Sequence, residues 1–179
     1  MSHEIRCIAE RLVYENRFVK VYDDVVQFPD GSPGTYVRLD SAVAGTAVVL
    51  IPLNEGRIGL VRTFRYALRK LELGLPRGFS QGVSIEDTAR RELREELGVD
   101  AIKLNVLGYL TPDSGIQSAR VAVVEAPVVG IEGEPEDSVE VESVHWLPES
   151  RVEEMIRAGE IEDGFTIAAL ALLRLQRSA

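Results

Sequence analysis

The chain has 179 residues, of which 45% are hydrophobic and 27% charged, a composition typical of a folded globular protein with a sizeable core. Its formal net charge of −9 argues against nonspecific nucleic-acid binding, which needs a basic surface. Cys7 is the only cysteine, so an internal disulfide is excluded and a reducing compartment is favoured. The first residues lack the apolar core of a signal peptide, and no run of about 18 apolar residues predicts a membrane span. We therefore expect a cytoplasmic protein with no membrane or nucleic-acid partner.

The first third of the chain is predicted to be rich in strands. In order, strands are expected at residues 5–14, 18–28, 35–39, 42–52 and 58–64. A dense run of turn-forming residues at 29–34 predicts that the third strand pairs with the second as an antiparallel hairpin. The fourth strand is almost continuously apolar, as expected when both faces are buried. We therefore divide the chain into N-terminal strands at 1–41 and a main domain at 42–179.

The rest of the chain mixes helices with strands. One helix is predicted at 85–97, with Ser84 as its N-cap, Asp87 as a capping partner and Gly98 just beyond its end. Strands follow at 103–109, 119–129 and 139–146, then helices at 148–158 and 163–176. In the last helix, Ile167, Leu170 and Leu173 form an apolar stripe. This order predicts an α+β fold or a sandwich of helices around a sheet.

Three glutamates on the first predicted helix are the strongest chemical signal. Glu92, Glu95 and Glu96 have the spacing i, i+3, i+4, which places them on one helical face where like charges repel. A divalent cation would remove that repulsion, and carboxylate oxygens are the ligands that Mg²⁺ and Mn²⁺ prefer. The alternative is a solvated helix face held by ion pairs to neighbouring arginines.

The residues around these glutamates resemble the Nudix hydrolase signature, Gly-x5-Glu-x7-Arg-Glu-U-x-Glu-Glu-x-Gly-U, in which U is apolar. The second half matches at every defined position, from Arg91 to Val99. The first half departs from the pattern, because Gly78 lies one residue late and Val83 stands where a glutamate is expected. Segments 61–66, 71–78 and 159–167 are also similar to the ADP-ribose and ADP-compound pyrophosphatases of that superfamily.

The resemblance implies a fold and a metal site. The fold would be an α/β/α sandwich with a mixed β-sheet between helices, preceded by the N-terminal antiparallel hairpin. The metal, Mg²⁺ or Mn²⁺, would be held by Glu92, Glu95 and Glu96, with the backbone carbonyl of Gly78 as a further ligand. Arg91 would brace the loop before the helix. Because Val83 cannot pair with Arg91, we expect Asp87, four residues earlier, to replace the missing glutamate.

Further residues are predicted to contact the substrate or to act on water. The candidate substrate-binding residues are Arg62, Arg65, Glu72 and Arg77. Arg62 and Arg65 are three apart on one strand and point to opposite faces, which favours Arg65 as the phosphate contact. The resemblance implies a catalytic base on a late acidic loop. Glu140 is our choice, with Glu136 and Glu142 as alternatives.

The function implied by the resemblance is metal-dependent hydrolysis of a diphosphate bridge. The expected substrate is ADP-ribose, or NADH and related ADP-linked compounds, cleaved to AMP and a phosphorylated moiety. Two alternatives stay open: a weakly active or inactive module that binds nucleotides, and a hydrolase of another nucleotide class. The resemblance also implies a homodimer in which residues 1–41 contribute to the interface.

Overall fold

The structure is a computed structural model that describes residues 3–178. The predicted segments 1–41 and 42–179 extend beyond this range, so Met1, Ser2 and Ala179 lie outside the described residues. The strands are β1 (Arg6–Ala9), β2 (Leu12–Glu15), β3 (Val19–Gln27), β4 (Pro33–Ser41), β5 (Ala47–Asn54), β6 (Arg57–Arg65), β7 (Lys70–Gly74), β8 (Arg77–Gly78), β9 (Asn105–Leu110), β10 (Val121–Pro127) and β11 (Val141–Pro148). The helices are α1 (Ile85–Leu97), α2 (Glu149–Arg157) and α3 (Gly164–Arg177). None of these helices combines the length and apolarity needed to cross a bilayer.

The chain divides into two compact units. One unit contains the chain up to Ala44 together with Thr111–Arg120, and the other contains Gly45–Leu110 and the chain from Val121 onward.

The first unit is a four-stranded antiparallel sheet. Strands β1 and β2 lie one after the other along one edge of β3, and β4 pairs along the other edge. The predicted strand at 5–14 is therefore interrupted. The interruption coincides with Arg11, whose backbone N–H donates to the buried carboxylate of Asp24 at 3.1 Å. The predicted hairpin is confirmed, with β3 and β4 paired from Val19 opposite Ser41 to Gln27 opposite Pro33.

The second unit is a mixed sheet between helices, so the predicted sandwich is confirmed. The strand order is β11-β6-β5-β10-β9, with β7 also paired to β6 and β8 also paired to β5. Among the described strands of this sheet, β5 and β10 are parallel and all other pairs are antiparallel. Alternate residues of β5 enter different cores. Val48 and Leu50 pack with Leu93 of α1, whereas Val49 and Ile51 pack with residues of α2 and α3.

The boundaries of α1 are the ones predicted. The Ser84 hydroxyl accepts a hydrogen bond from the Asp87 backbone N–H at 3.0 Å and donates to the Asp87 carboxylate at 2.7 Å. Gly98 follows the helix with φ of 66°, a left-handed conformation in which glycine avoids steric strain. Leu93 and Leu97 are fully buried, so they anchor the helix on the sheet.

Two details of the prediction were wrong. Strands β7 and β8 were not predicted, because both are short and approach the sheet through a Gly-Leu-Pro sequence that lacks clear alternation. In α3, Ile167 is 39% exposed, and the buried residues are Thr166, Ala169 and Leu173. Leu173 is buried and Leu170 packs against the core as predicted, so only Ile167 is misplaced. Its neighbour Thr166 turns inward instead and forms buried hydrogen bonds.

Candidate active site

Two buried glutamates of α1 face the mixed sheet. Glu92 and Glu96 are each 6% exposed, and their spacing of four residues places them on the same side of the helix. Glu95 lies on the more open side, with 37% of its side chain exposed. The helical face predicted from spacing therefore exists, but its three carboxylates have different environments.

Burial controls the charge of this pair. Loss of hydration raises the pKa of Glu92 to about 7, opposed by the Arg91 guanidinium and reinforced by the charge of Glu95. Loss of hydration likewise raises the pKa of Glu96 to about 8, reinforced by Glu92 and opposed by Arg65. Two carboxylates that are buried together without enough positive charge favour protonation or the binding of a cation.

Arg91 connects the glutamates to the loop before α1. Its Nη1 donates to Glu95 at 2.6 Å, and its Nη2 lies 2.6 Å from a Glu92 oxygen and donates to the Phe79 carbonyl at 2.9 Å. The predicted pair of Arg91 with Asp87 is wrong. The Asp87 carboxylate accepts a hydrogen bond from the Ser84 hydroxyl instead. The loop partner of Arg91 is the Phe79 backbone carbonyl, not an acidic side chain.

Gly78 lies directly against the glutamates. It belongs to β8 and pairs with Val48, whose side chain packs toward α1. A Cβ atom added at Gly78 would overlap the Glu92 carboxylate. The backbone of β8 can therefore approach Glu92 only because this position has no side chain.

A second group of polar residues lies on the same face of the sheet, on β6 and β7. Thr63 pairs with Glu72, and Arg65 is two residues beyond Thr63, so alternation places all three on the face that carries Val61 against α1. The Arg65 Nε atom lies 3.8 Å from a Glu72 oxygen, an ion pair but too long for a hydrogen bond. Burial lowers the pKa of Arg65 and the charge of Arg77 acts in the same direction, whereas the charges of Asp163 and Glu96 oppose it.

The side chains of two predicted substrate contacts do not join this face. Arg62 is exposed and alternates with Val61 and Thr63, so it points to the opposite face of β6. The Arg77 guanidinium also lies on the opposite face, where it donates to Asp163 at 2.8 Å and stacks over the Phe165 ring at 4.6 Å. The Arg77 backbone, in contrast, forms a hydrogen bond to Glu96 that lowers its pKa.

The three candidates for the catalytic base differ in their position. Glu140 is exposed, and its negative charge contributes to the raised pKa of both Glu92 and Glu96. The Glu142 carboxylate accepts a hydrogen bond from the Ser143 hydroxyl at 2.6 Å. Glu140 is therefore the late-loop acid that the structure places within electrostatic reach of the buried pair.

The residues present suit a divalent cation by their chemistry, although the side chains are not yet arranged around one. No three acidic, histidine or cysteine side chains among residues 3–178 converge as a ready metal cage, and Glu95 is held by Arg91. Within the same residues, the buried side-chain polar atoms that lack a hydrogen bond are Thr63 Oγ1, Arg65 Nε, Arg91 Nε and Trp146 Nε1. All four lie on the α1 side of the sheet, where Trp146 packs against the core that contains Val61 and Leu93. Buried polar atoms without partners are the expected condition of a site that completes its contacts with a ligand.

Three features of the site escaped the sequence prediction. They are the Phe79 carbonyl, the Thr63 hydroxyl and a buried pair at the start of α3, Asp163 and Thr166. The pair carries a recognisable signal, because Asp-x-x-Thr before an apolar helix fits a side-chain cap. The other two have no sequence signal, since they depend on where a loop places a backbone atom and on which strand face is buried.

Comparison with known proteins gives consistent matches along the chain. The family model described as NUDIX domain matches residues 43–167, and the one described as nucleoside diphosphate sugar hydrolase N-terminal domain matches residues 5–37. An ADP-ribose pyrophosphatase of Bacillus subtilis (strain 168) is 29% identical, covering 99% of this chain and 96% of its own length. The ADP compounds hydrolase NudE of Escherichia coli (strain K12) is 26% identical, covering 90% of this chain and 87% of its own length. A crystal structure of an ADP compounds hydrolase superposes with a TM-score of 0.82 at 23% identity, covering 97% of this chain and 94% of that one.

Proposed function

Because the chain belongs to the NUDIX family, we propose that the buried glutamates of α1 form the metal-dependent centre of a hydrolase that cleaves ADP-ribose or a related ADP-linked compound. The general class, a pyrophosphohydrolase, follows from the family and its ADP-ribose pyrophosphatase relatives. One observation carries the proposal most strongly: Glu92 and Glu96 are buried together beside Gly78 with pKa values raised to about 7 and 8.

We propose that Glu92, Glu95 and Glu96 hold the divalent ion, with the Gly78 carbonyl as a further ligand. When bound, Mg²⁺ or Mn²⁺ offsets the charge of the diphosphate and lowers the pKa of the attacking water. Glu95 can take part without leaving Arg91, because its Oε2 accepts from Arg91 while its other carboxylate oxygen stays available to the ion.

The remaining roles follow from position and charge. Arg65 has a buried Nε without a hydrogen-bond partner and a guanidinium on the glutamate face, which suits it to bind a phosphate oxygen. Glu72 orients Arg65 through their ion pair. Glu140 accepts a proton from the attacking water, a role supported by its exposure and its reach to the buried pair. Water adds to one phosphorus of the diphosphate, the bridging P–O bond breaks, and the products from ADP-ribose are AMP and ribose 5-phosphate.

The geometry gives Arg62 and Arg77 different roles from those predicted. Arg77 contributes through its backbone hydrogen bond to Glu96, while its side chain is engaged with Asp163 on the other sheet face. Arg62 is exposed on that opposite face and contributes no contact to the glutamates.

A nucleotide-binding module with little or no hydrolysis is the second candidate function. The specific observation in its favour is Val83, an exposed apolar residue at the place of a signature glutamate, next to a loop that is one residue short. The contact of Arg91 with the Phe79 carbonyl favours hydrolysis, because it braces the loop without that glutamate.

A substrate panel separates these functions. Purified protein is incubated with ADP-ribose, NADH, a dinucleoside polyphosphate and a nucleoside triphosphate, with Mg²⁺ or Mn²⁺, and the products are resolved by chromatography. We expect ADP-ribose to give AMP at the highest kcat/KM. Binding of ADP-ribose without product would support the module, and preferential cleavage of a triphosphate would move the proposal to another nucleotide class.

We also propose that the protein is a cytoplasmic homodimer. The support for assembly is the first unit, where the apolar side chains of Ile8, Val13 and Phe18 are each more than half exposed. Exposed apolar side chains that form one patch mark an association site, and we propose that these three belong to such a patch. Sedimentation velocity at micromolar concentration should give a dimer, and Val13→Lys should weaken it. A monomeric wild-type protein that turns over ADP-ribose would exclude a role for assembly in activity.

A further inference from the structure

The segment that carries Gly78 is held from the side of the sheet opposite the glutamates. Asp163 is the N-cap of α3 and is 7% exposed. Its Oδ2 accepts hydrogen bonds from the Thr166 backbone N–H at 2.9 Å and the Thr166 hydroxyl at 2.6 Å. Its Oδ1 accepts from Arg77 at 2.8 Å. One buried carboxylate thus joins the first turn of α3 to the strand that ends at Gly78.

Thr166 makes the second connection to the same segment. It is fully buried, and its hydroxyl oxygen accepts a hydrogen bond from the Leu75 backbone N–H at 2.8 Å. Gly74 allows this approach, since a Cβ atom there would lie 3.0 Å from the Thr166 hydroxyl and 3.2 Å from the Asp163 carboxylate. Residues 74–77 therefore rest directly on the start of α3 through two buried polar contacts.

The other side of the same segment meets the glutamates. The Arg77 backbone forms a hydrogen bond to Glu96, and Gly78 lies against Glu92. Arg77 connects the two sides, because its side chain reaches Asp163 while its backbone reaches α1. The segment has few sheet contacts of its own, since β8 is only two residues long, so its position depends on these flanking contacts.

We infer that Asp163 and Thr166 are positioning residues for the metal centre, which they serve by fixing residues 74–78 so that Gly78 and the Arg77 backbone meet Glu92 and Glu96. This inference rests on the proposed function in assigning the centre to a divalent ion. Neither residue touches the substrate or the glutamates, and neither belongs to the signature segment on α1. Outer contacts that orient the ligands of a metal typically change metal affinity or activity by about 10-fold to 100-fold when they are removed.

The test uses variants that differ in a single hydroxyl. Thr166→Val preserves the shape but leaves the Leu75 N–H without an acceptor, whereas Thr166→Ser keeps the hydroxyl. Val152→Ala is the matched control, because Val152 is buried on α2 in the core of the same sheet face and supplies no hydrogen bond to the segment. The readouts are Mn²⁺ affinity by electron paramagnetic resonance, hydrogen exchange of residues 74–78 in the metal-free protein, and kcat and KM for ADP-ribose.

We expect Thr166→Val to weaken Mn²⁺ binding about 10-fold or more, to speed exchange at Leu75 and to lower kcat more than it raises KM. Thr166→Ser should restore most of the Mn²⁺ affinity, and Val152→Ala should leave it within about twofold of wild type even where its loss of thermal stability is similar. A Thr166→Val protein that matches Val152→Ala in Mn²⁺ affinity would overturn the inference.

A second variant keeps the test decisive should Thr166→Val not fold. Asp163→Asn retains an acceptor for the helix N-terminus but removes the anion that holds Arg77. It should also weaken Mn²⁺ binding, and unchanged binding would overturn the inference. Failure of the proposed function has a different signature: a wild-type protein that binds Mn²⁺ but cleaves no ADP-linked compound. The exchange and Mn²⁺ readouts then still decide the positioning role.

Discussion

Adding one methyl group at Gly78 should disable the centre without unfolding the protein. Gly78 does not have a positive φ, so the backbone itself accepts alanine. The new Cβ would overlap the Glu92 carboxylate, and Glu92 has little room to retreat because its side chain is 7% exposed and bound to Arg91. The overlap must be relieved by moving either Glu92 or β8, and crowding of this kind costs about 1–3 kcal/mol.

The catalytic effect should exceed the effect on stability. A displacement of about 1 Å at a reacting centre can lower the rate about 10²-fold, so we expect kcat/KM of Gly78→Ala to fall by at least that factor. The control is Gly164→Ala in the first turn of α3, where a Cβ atom meets nothing within 4 Å. It should be neutral or slightly stabilising. AMP release from ADP-ribose and thermal unfolding are measured for both variants. A Gly78→Ala enzyme with wild-type kcat/KM would refute the close approach of β8 to Glu92.

Replacing Glu95 with Gln removes one charged carboxylate from the cluster, so the rate of AMP release at saturating Mg²⁺ should fall about 10²-fold or more. A near wild-type rate would show that Glu95 is not a metal ligand. Arg91→Ala should lower both activity and thermal stability, because Arg91 joins two glutamates to the loop carbonyl. Asp87→Ala should lose only its capping contact, which contributes about 1 kcal/mol of stability, and should leave activity unchanged. The reverse ranking of these two variants in paired rate and melting measurements would contradict the observed contacts. The metal-free protein should lose thermal stability as the pH rises from about 5 to about 8. Glu92 and Glu96 have pKa values of about 7 and 8 in the folded protein, above the ordinary glutamate value of 4.5, so the folded state binds more protons than the unfolded state in this window. Saturating Mg²⁺ should flatten that dependence, and a melting temperature that rises across the window would show that the pair is not buried as described.

The parts of the fold that the sequence predicted are those with strong local signals. Helix α1 was predicted to the residue because Ser84 and Gly98 mark its ends and the leucines on its buried stripe repeat at the helical period. The order of the elements predicted an α+β fold or a sandwich, and the resemblance to the Nudix signature implied the sandwich. In α3 the stripe was predicted correctly at Leu170 and Leu173. At its first position the polar Thr166 is buried in place of Ile167, which a pattern based on apolar residues alone could not predict.

The parts that the sequence could not predict depend on contacts between distant segments. Asp87 and Arg91 have the spacing of an ion pair, yet Asp87 is bound by Ser84 and Arg91 reaches a carbonyl twelve residues away. Arg77 carries a charge suited to phosphate, but the register of β8 directs its side chain toward α3 and only its backbone toward α1. The roles of Glu92, Glu95 and Glu96 as ligands stay predictions, which the structure supports by placing the three carboxylates on one helix, with Glu92 against Gly78.

The most direct test of the glutamate centre is the rate of AMP release from ADP-ribose by wild type and by Glu96→Gln, each with saturating Mg²⁺ and with a chelator. Glu96 has the more strongly raised pKa of the two glutamates, about 8 against about 7, and glutamine keeps its size while removing its charge. We predict that wild type releases AMP only with Mg²⁺ and that Glu96→Gln is slower by about 10²-fold or more while remaining folded. Equal rates for the two proteins, or a wild-type rate that the chelator does not change, would contradict a metal centre built on these glutamates.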